Sequence, residues 1–168
     1  VLASFDSPPD GKFIYYICEA EKQYRIVRYD CEANKEQEIY TNLDLYPSAL
    51  ALSKDGKWIA FKLGNVGASM TLNIIPASGG EIKELYKYKS TLNVFILGSF
   101  EWSPDGQRVF FTEPAGEKGT ELLCISKEGG PAQKVAESYA KAEFIFPRIS
   151  PDGQYIAYCG GSLAIDNW

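Results

Sequence analysis

The chain has 168 residues, 45% of them hydrophobic and 14% aromatic, and carries a formal net charge of −5. That is enough apolar material for one or two cores, and the acidic balance argues against a nucleic-acid partner, which a basic face usually meets. There is no histidine, which removes Ser-His-Asp and Cys-His catalysis and any His-ligated metal.

Taken in order, the sequence reads as strands throughout. A first unit, about residues 1–40, has strands at 1–6, 13–18, 24–29 and 37–40, with a Pro8–Gly11 turn after the first. A second, about 46–86, has strands at 46–52, 58–63, 70–75 and 81–86, with Ala77-Ser78-Gly79-Gly80 turning the last hairpin. A third, about 94–136, has strands at 94–102, 108–113, 120–126 and 131–136, and Lys127-Glu128-Gly129-Gly130 repeats the Gly-Gly turn. Pro131 fits an edge strand, because it cannot donate to a ladder. Residues 137–143 are the one stretch with a possible helical turn. A partial fourth unit, about 144–168, supplies strands at 144–149 and 155–159 and a stub at 162–167.

One motif organises these units. Trp102-Ser103-Pro104-Asp105-Gly106-Gln107-Arg108-Val109-Phe110-Phe111 recurs around Asp55-Gly56 and Asp152-Gly153, and more loosely around Asp10-Gly11. Each copy is a hairpin: proline presets φ, aspartate can bond the backbone two residues on, and glycine supplies positive φ. The apolar, β-branched run that follows suits a strand. The four turn glycines are spaced by 45, 50 and 47 residues, a period that marks propeller blades or solenoid units, and strand-only content favours the propeller. The expected fold class is therefore all-β: a propeller segment of four-stranded antiparallel blades, three full and one partial, an open arc that this chain alone does not close.

Cys18, Cys31, Cys124 and Cys159 form no Cys-x-x-Cys pair, so zinc and thioredoxin-like chemistry are not expected. Cys18, Cys124 and Cys159 fall in strands, where cysteine acts as a small apolar residue; a Cys18–Cys31 bridge stays open for an oxidising compartment. No Gly-x-Ser-x-Gly elbow occurs, and no cofactor or metal is expected. No signal peptide is visible at Val1, and no apolar run approaches the about 18 residues of a membrane span. The chain reads as a piece of a longer protein.

The repeated Ser-Pro-Asp-Gly-Lys/Gln hairpin, its aromatic strand and the Gly-Gly turn resemble the TolB-like propeller repeat, a relative of the Trp-Asp repeat. The resemblance covers nearly the whole chain. It departs at Lys54, where proline is usual, and at the extra Pro8. It implies a periplasmic or extracellular location and a ring of about six to eight blades. The missing blades would come from the parent chain or from a second copy in a homodimer, since bare sheet faces and edges invite association.

The carboxylates Asp10, Asp55, Asp105 and Asp152, with Gly11, Gly56, Gly106 and Gly153, are read as turn structure, with calcium or acid–base work as the alternative; spread round a rim, they would not pair. Trp58 and Trp102 are expected in the core between sheets. Arg148 either lines the central channel and holds an anion or snorkels to the rim. The more variable loops share the face opposite the Asp-Gly turns. There Tyr88, Lys89, Tyr139 and Lys141 are the candidate binding residues, tyrosine being enriched at contacts; otherwise these loops are simply solvated. Lys83, Lys87 and Lys89 form a local basic cluster. The functions expected are a non-catalytic scaffold binding a protein or ligand, the accessory propeller of a prolyl-oligopeptidase-type serine peptidase, or the sensor propeller of a regulator.

Overall fold

The computed structural model describes residues 2–65, 69–89, 100–115, 119–137 and 143–161. Among the described residues fourteen strands run in chain order. β1 (Leu2–Asp6), β2 (Phe13–Ala20), β3 (Gln23–Asp30) and β4 (Lys35–Asn42) form the first sheet. β5 (Tyr46–Leu52), β6 (Trp58–Gly64), β7 (Thr71–Pro76) and β8 (Lys83–Lys87) form the second. β9 (Glu101–Trp102), β10 (Arg108–Pro114), β11 (Thr120–Ser126) and β12 (Gln133–Glu137) form the third. β13 (Glu143–Ile149) and β14 (Ile156–Gly161) pair as a two-stranded sheet. All neighbours are antiparallel and sequential, so each sheet is a meander.

The sheets stack face to face, and strand alternation decides which side chain enters which interface. Ile59 and Phe61 of β6 point to the first sheet and join Tyr15, Ile17, Ile26 and Leu50 in one core. Ala60, one residue out of phase, points to the third and packs with Leu72, Ile74, Trp102, Val109 and Phe111. A strand buried on both faces must be apolar almost throughout, which is why β6 reads Trp-Ile-Ala-Phe-Lys-Leu-Gly. Each such side chain contributes about 1.5–3 kcal/mol over its exposed state.

The innermost strands are tied to one another by hydrogen bonds as well. The Leu50 amide donates to Ser4 Oγ at 3.0 Å and the Leu52 amide to Asp6 Oδ2 at 2.8 Å. Trp102 Nε1 donates to the Ala51 carbonyl at 3.1 Å.

Several boundaries differ from the sequence reading. β4 runs to eight residues, because its pairing with β3 continues from Lys35 to Asn42. Pro131 lies before β12, so the ladder avoids the missing donor by starting at Gln133. Of the suspected helical turn, Glu137 and Glu143 are strand residues, and 138–142 fall outside the described residues, as do most of 94–102 and all of the 162–167 stub. The Cys18–Cys31 bridge is excluded by register. Cys18 sits opposite Arg25 while Cys31 bonds back to Lys12, roughly 20 Å along the ribbon at 3.4 Å per residue. Cys18, Cys31 and Cys124 are free thiols. Trp102 is in the core, whereas Trp58 is only half-buried, with Lys127 Nζ 5.6 Å above its ring.

Candidate functional site

The Asp-Gly hairpins use their carboxylates internally. Asp10, Asp55, Asp105 and Asp152 each accept the amide two residues on, at 3.0–3.1 Å. In the last three, the serine of the motif, given no role in the sequence reading, completes the turn. The hydroxyls of Ser53, Ser103 and Ser150 donate to the aspartate and accept the amides of Trp58, Arg108 and Tyr155, at or one residue before the start of the next strand, at 2.9 Å. At Asp105 and Asp152 the serine hydroxyl and then the backbone amide hold the carboxyl below its ordinary value. At Asp55 burial pushes upward, but Ser53 and the Lys57 amide outweigh it. The first copy has Pro8 at the serine position and lacks this bond. Among the described residues no group of three or more His, Cys, Asp or Glu is placed to hold a metal.

Arg148 lies by the innermost strands, beside a polar cleft of about 320 Å³ bordered by Asp6, Lys54, Glu101 and Trp102. Its guanidinium donates to Glu101 Oε2 at 2.6 Å, and Lys54 Nζ stands 3.5 Å from Glu101 Oε1. The Arg148 side chain is exposed, and the carboxylate that it holds is the protein's own. The three charges come from three successive sheets and sum to +1, and Asp6, which is engaged by the Leu52 amide, adds a second carboxylate at the cleft.

The loop-face residues divide. Tyr88 is 3% exposed, not a surface contact as expected. Its amide continues the β7–β8 ladder by bonding the Met70 carbonyl at 2.9 Å, which turns the ring inward against Tyr86 and Phe111, at 5.5 and 5.8 Å between centroids. Lys89 is exposed, its amide bonded to Glu113 Oε1 at 3.2 Å. Tyr139 and Lys141 lie outside the described residues. Lys83 is neutralised by Glu128 at 3.5 Å, which dilutes the basic cluster.

Beneath this face lies a charged group that the sequence did not signal. Lys62 is 2% and Glu113 3% exposed. Lys62 Nζ lies 5.2 Å over the Tyr88 ring and 6.0 Å over Phe100. Burial pushes the ammonium down to about 8, with the Glu113 charge opposing. Burial, followed by Glu113, raises the hydroxyls of Tyr86 and Tyr88.

The first sheet's outer face leaves apolar side chains bare, among them Phe5 and Ile14. Register makes it comparable with the buried face of the second sheet: Phe5 pairs Tyr16 as Leu50 pairs Phe61. Yet Phe5 is 76% exposed and Leu50 only 8%; Ile14 is 37% exposed and its counterpart Ile59 0%. A groove of about 550 Å³ runs over this face past Phe5, Ile14, Tyr16 and Tyr29.

No protein-family model and no curated protein matches the sequence. Solved structures do. TolB from Acinetobacter baumannii superposes with a TM-score of 0.73 at 20% identity, over 98% of this chain and 39% of that one. The fold is that of a TolB-like propeller. Similar propellers occur in an oligogalacturonate lyase from Vibrio parahaemolyticus (TM-score 0.70, 15% identity, 96% of this chain and 47% of that) and in a prolyl endopeptidase (TM-score 0.67, 14% identity, 95% and 26%). The chain thus spans less than half the length of each. The sheets described above are blades, the polar cleft lies on the side of the propeller axis, and no helix among the described residues is long and apolar enough to cross a membrane.

Proposed function

We propose that this chain is a non-catalytic propeller scaffold whose role is to bind, and that the bare face of its first blade is covered by a further blade of the same kind. One observation carries the reading: Phe5 is 76% exposed where the equivalent Leu50, one blade on, is 8% exposed against its neighbour. Exposed apolar surface on this scale marks association. The covering blade comes from the parent chain. Its location is the periplasm or the cell exterior, in keeping with the TolB-like fold and the repeat.

The experiment is light scattering and dye binding on the chain, with and without Phe5→Asp. The expected result is a monomer that binds an apolar dye, and that loses most of this signal in Phe5→Asp or when expressed with its neighbouring sequence. A dimer dissolved by Phe5→Asp would give the covering role to a second copy. A monomer that binds no dye would refute the proposal.

A second reading is favoured by the likeness to the prolyl endopeptidase propeller: an accessory propeller beside a catalytic domain encoded elsewhere in the reading frame. Under both readings the isolated chain turns over no peptide substrate, and measured turnover would defeat both.

A further inference from the structure

A second groove, of about 550 Å³, opens between the first and second blades at the Asp-Gly edge. Clefts of this size suit small ligands and chain ends. The corresponding cleft between the third and fourth blades is much smaller, about 170 Å³. A Cβ on Gly106 would meet the Asp55 carboxylate at 3.7 Å, and one on Gly153 would meet Pro104 at 3.5 Å, but one on Gly56 would meet nothing within 4 Å.

What marks the groove is Arg28. Register places it opposite Tyr15, as Ile74 is opposite Ala60 and Cys124 opposite Phe110. Ile74 and Cys124 are both buried core residues. A guanidinium therefore occupies a position that the other two blades fill with apolar packing. It is half-buried, stacked 4.8 Å from the Phe13 centroid, and its Nη2 donates to Gln37 Oε1 at 2.5 Å. Gln37 in turn donates to the Ser78 carbonyl of the second blade at 3.2 Å, which fixes the fork across the groove. No carboxylate among the described residues forms an ion pair with Arg28. A planar guanidinium with donors to spare selects carboxylates in two-point geometry. Phe13 and Trp58 give the walls an apolar surface, and Asp10 and Asp55 stand at the rim. Those rim carboxylates repel multiply charged anions and accept N–H groups.

We propose that this groove binds the C-terminal end of a peptide with an apolar last residue, its carboxylate on Arg28 and its side chain against Phe13 and Trp58. The rim acceptors favour a peptide over a simple organic acid, because only the peptide brings amide donors beside its carboxylate. The site lies on the opposite side of the first blade from the bare outer face, and stands apart from the binding role proposed for that face.

The test is calorimetric titration with acetyl-Ala-Ala-Phe as free acid, the same peptide as its C-terminal amide, and phenylpropionate. Wild type should bind the free acid at least about tenfold more tightly than the amide, the scale of one charge-assisted contact. Arg28→Gln should erase that difference, and Arg28→Lys, which keeps the charge without the fork, should retain part of it. Acid and amide binding alike, or no heat from either at about millimolar concentration, would overturn the site. Phenylpropionate binding as tightly as the peptide would overturn the peptide assignment. Phe5→Asp should leave the titration unchanged, so failure here and failure of the outer-face reading are separable.

Discussion

Lys62 and Glu113 sit in an interface that the other blades build from uncharged groups. Register aligns Lys62 with Ile17 and Thr112, and Glu113 with Leu63 and Cys18. Keeping the Lys62 ammonium at a pKa of about 8 in place of 10.5 means that its charged form costs the folded state roughly 3 kcal/mol below pH 8. Replacing it alone does not recover that energy, because Glu113 would be left buried without its compensating charge. Lys62→Ile and Glu113→Leu should therefore each destabilise by about 3 kcal/mol or more, while the double variant should be neutral or up to about 4 kcal/mol more stable than wild type. The sign of the pH effect follows. Between the folded and unfolded pKa values the unfolded chain holds the extra proton, so wild-type stability rises with pH through that window. Relative to the double variant it should gain about 1.6 kcal/mol between about pH 8 and pH 9.5. Urea unfolding of the four proteins at both pH values measures all of this. Additive single and double changes, or a pH dependence unaltered by removing Lys62, would refute the reasoning.

Three further outcomes are expected. Trp102→Ala should cost about 3–5 kcal/mol through the cavity that it leaves, and Trp102→Phe, which keeps the ring but orphans the Ala51 carbonyl, should cost about 1–3 kcal/mol; thermal melts compare them. Arg148→Ala should change stability by no more than about 1 kcal/mol, since its side chain is largely solvent-exposed and screened, and raising salt should shrink even that in the same melts. The turn aspartates Asp55, Asp105 and Asp152 have folded pKa values below the ordinary one. Their contribution is complete above the unfolded carboxyl range and is lost as pH falls through the folded values. Ser103→Ala should flatten that acid limb, as followed by circular dichroism against pH.

The fold was legible because a blade is a local object. Turn chemistry at Pro104-Asp105-Gly106 and the apolar runs of β2, β6 and β10 are written in consecutive residues, and their recurrence supplies the architecture. What the sequence concealed depends on neighbours far along the chain. Tyr88 looked like a loop residue because one further rung, to Met70, cannot be read from either segment alone. Arg148 could not be assigned its partner because Glu101 belongs to the preceding blade. Lys62 and Arg28 hide in strands where a long polar residue beside apolar ones ordinarily points to water; only ladder register reveals that their counterparts are packed inside. The serines that complete three of the turns were visible, but their role depends on a hydroxyl bonding in two directions at once.

Glu101 takes one cation from the blade before it and another from the blade after. A carboxylate shared in this way adds a weak, salt-screened link on either side to the packing that sets the wedge angle between successive sheets. Curvature specified locally, joint by joint, does not wait for a final strand to close a circle. Three and a half blades can thus hold the pitch of the whole wheel.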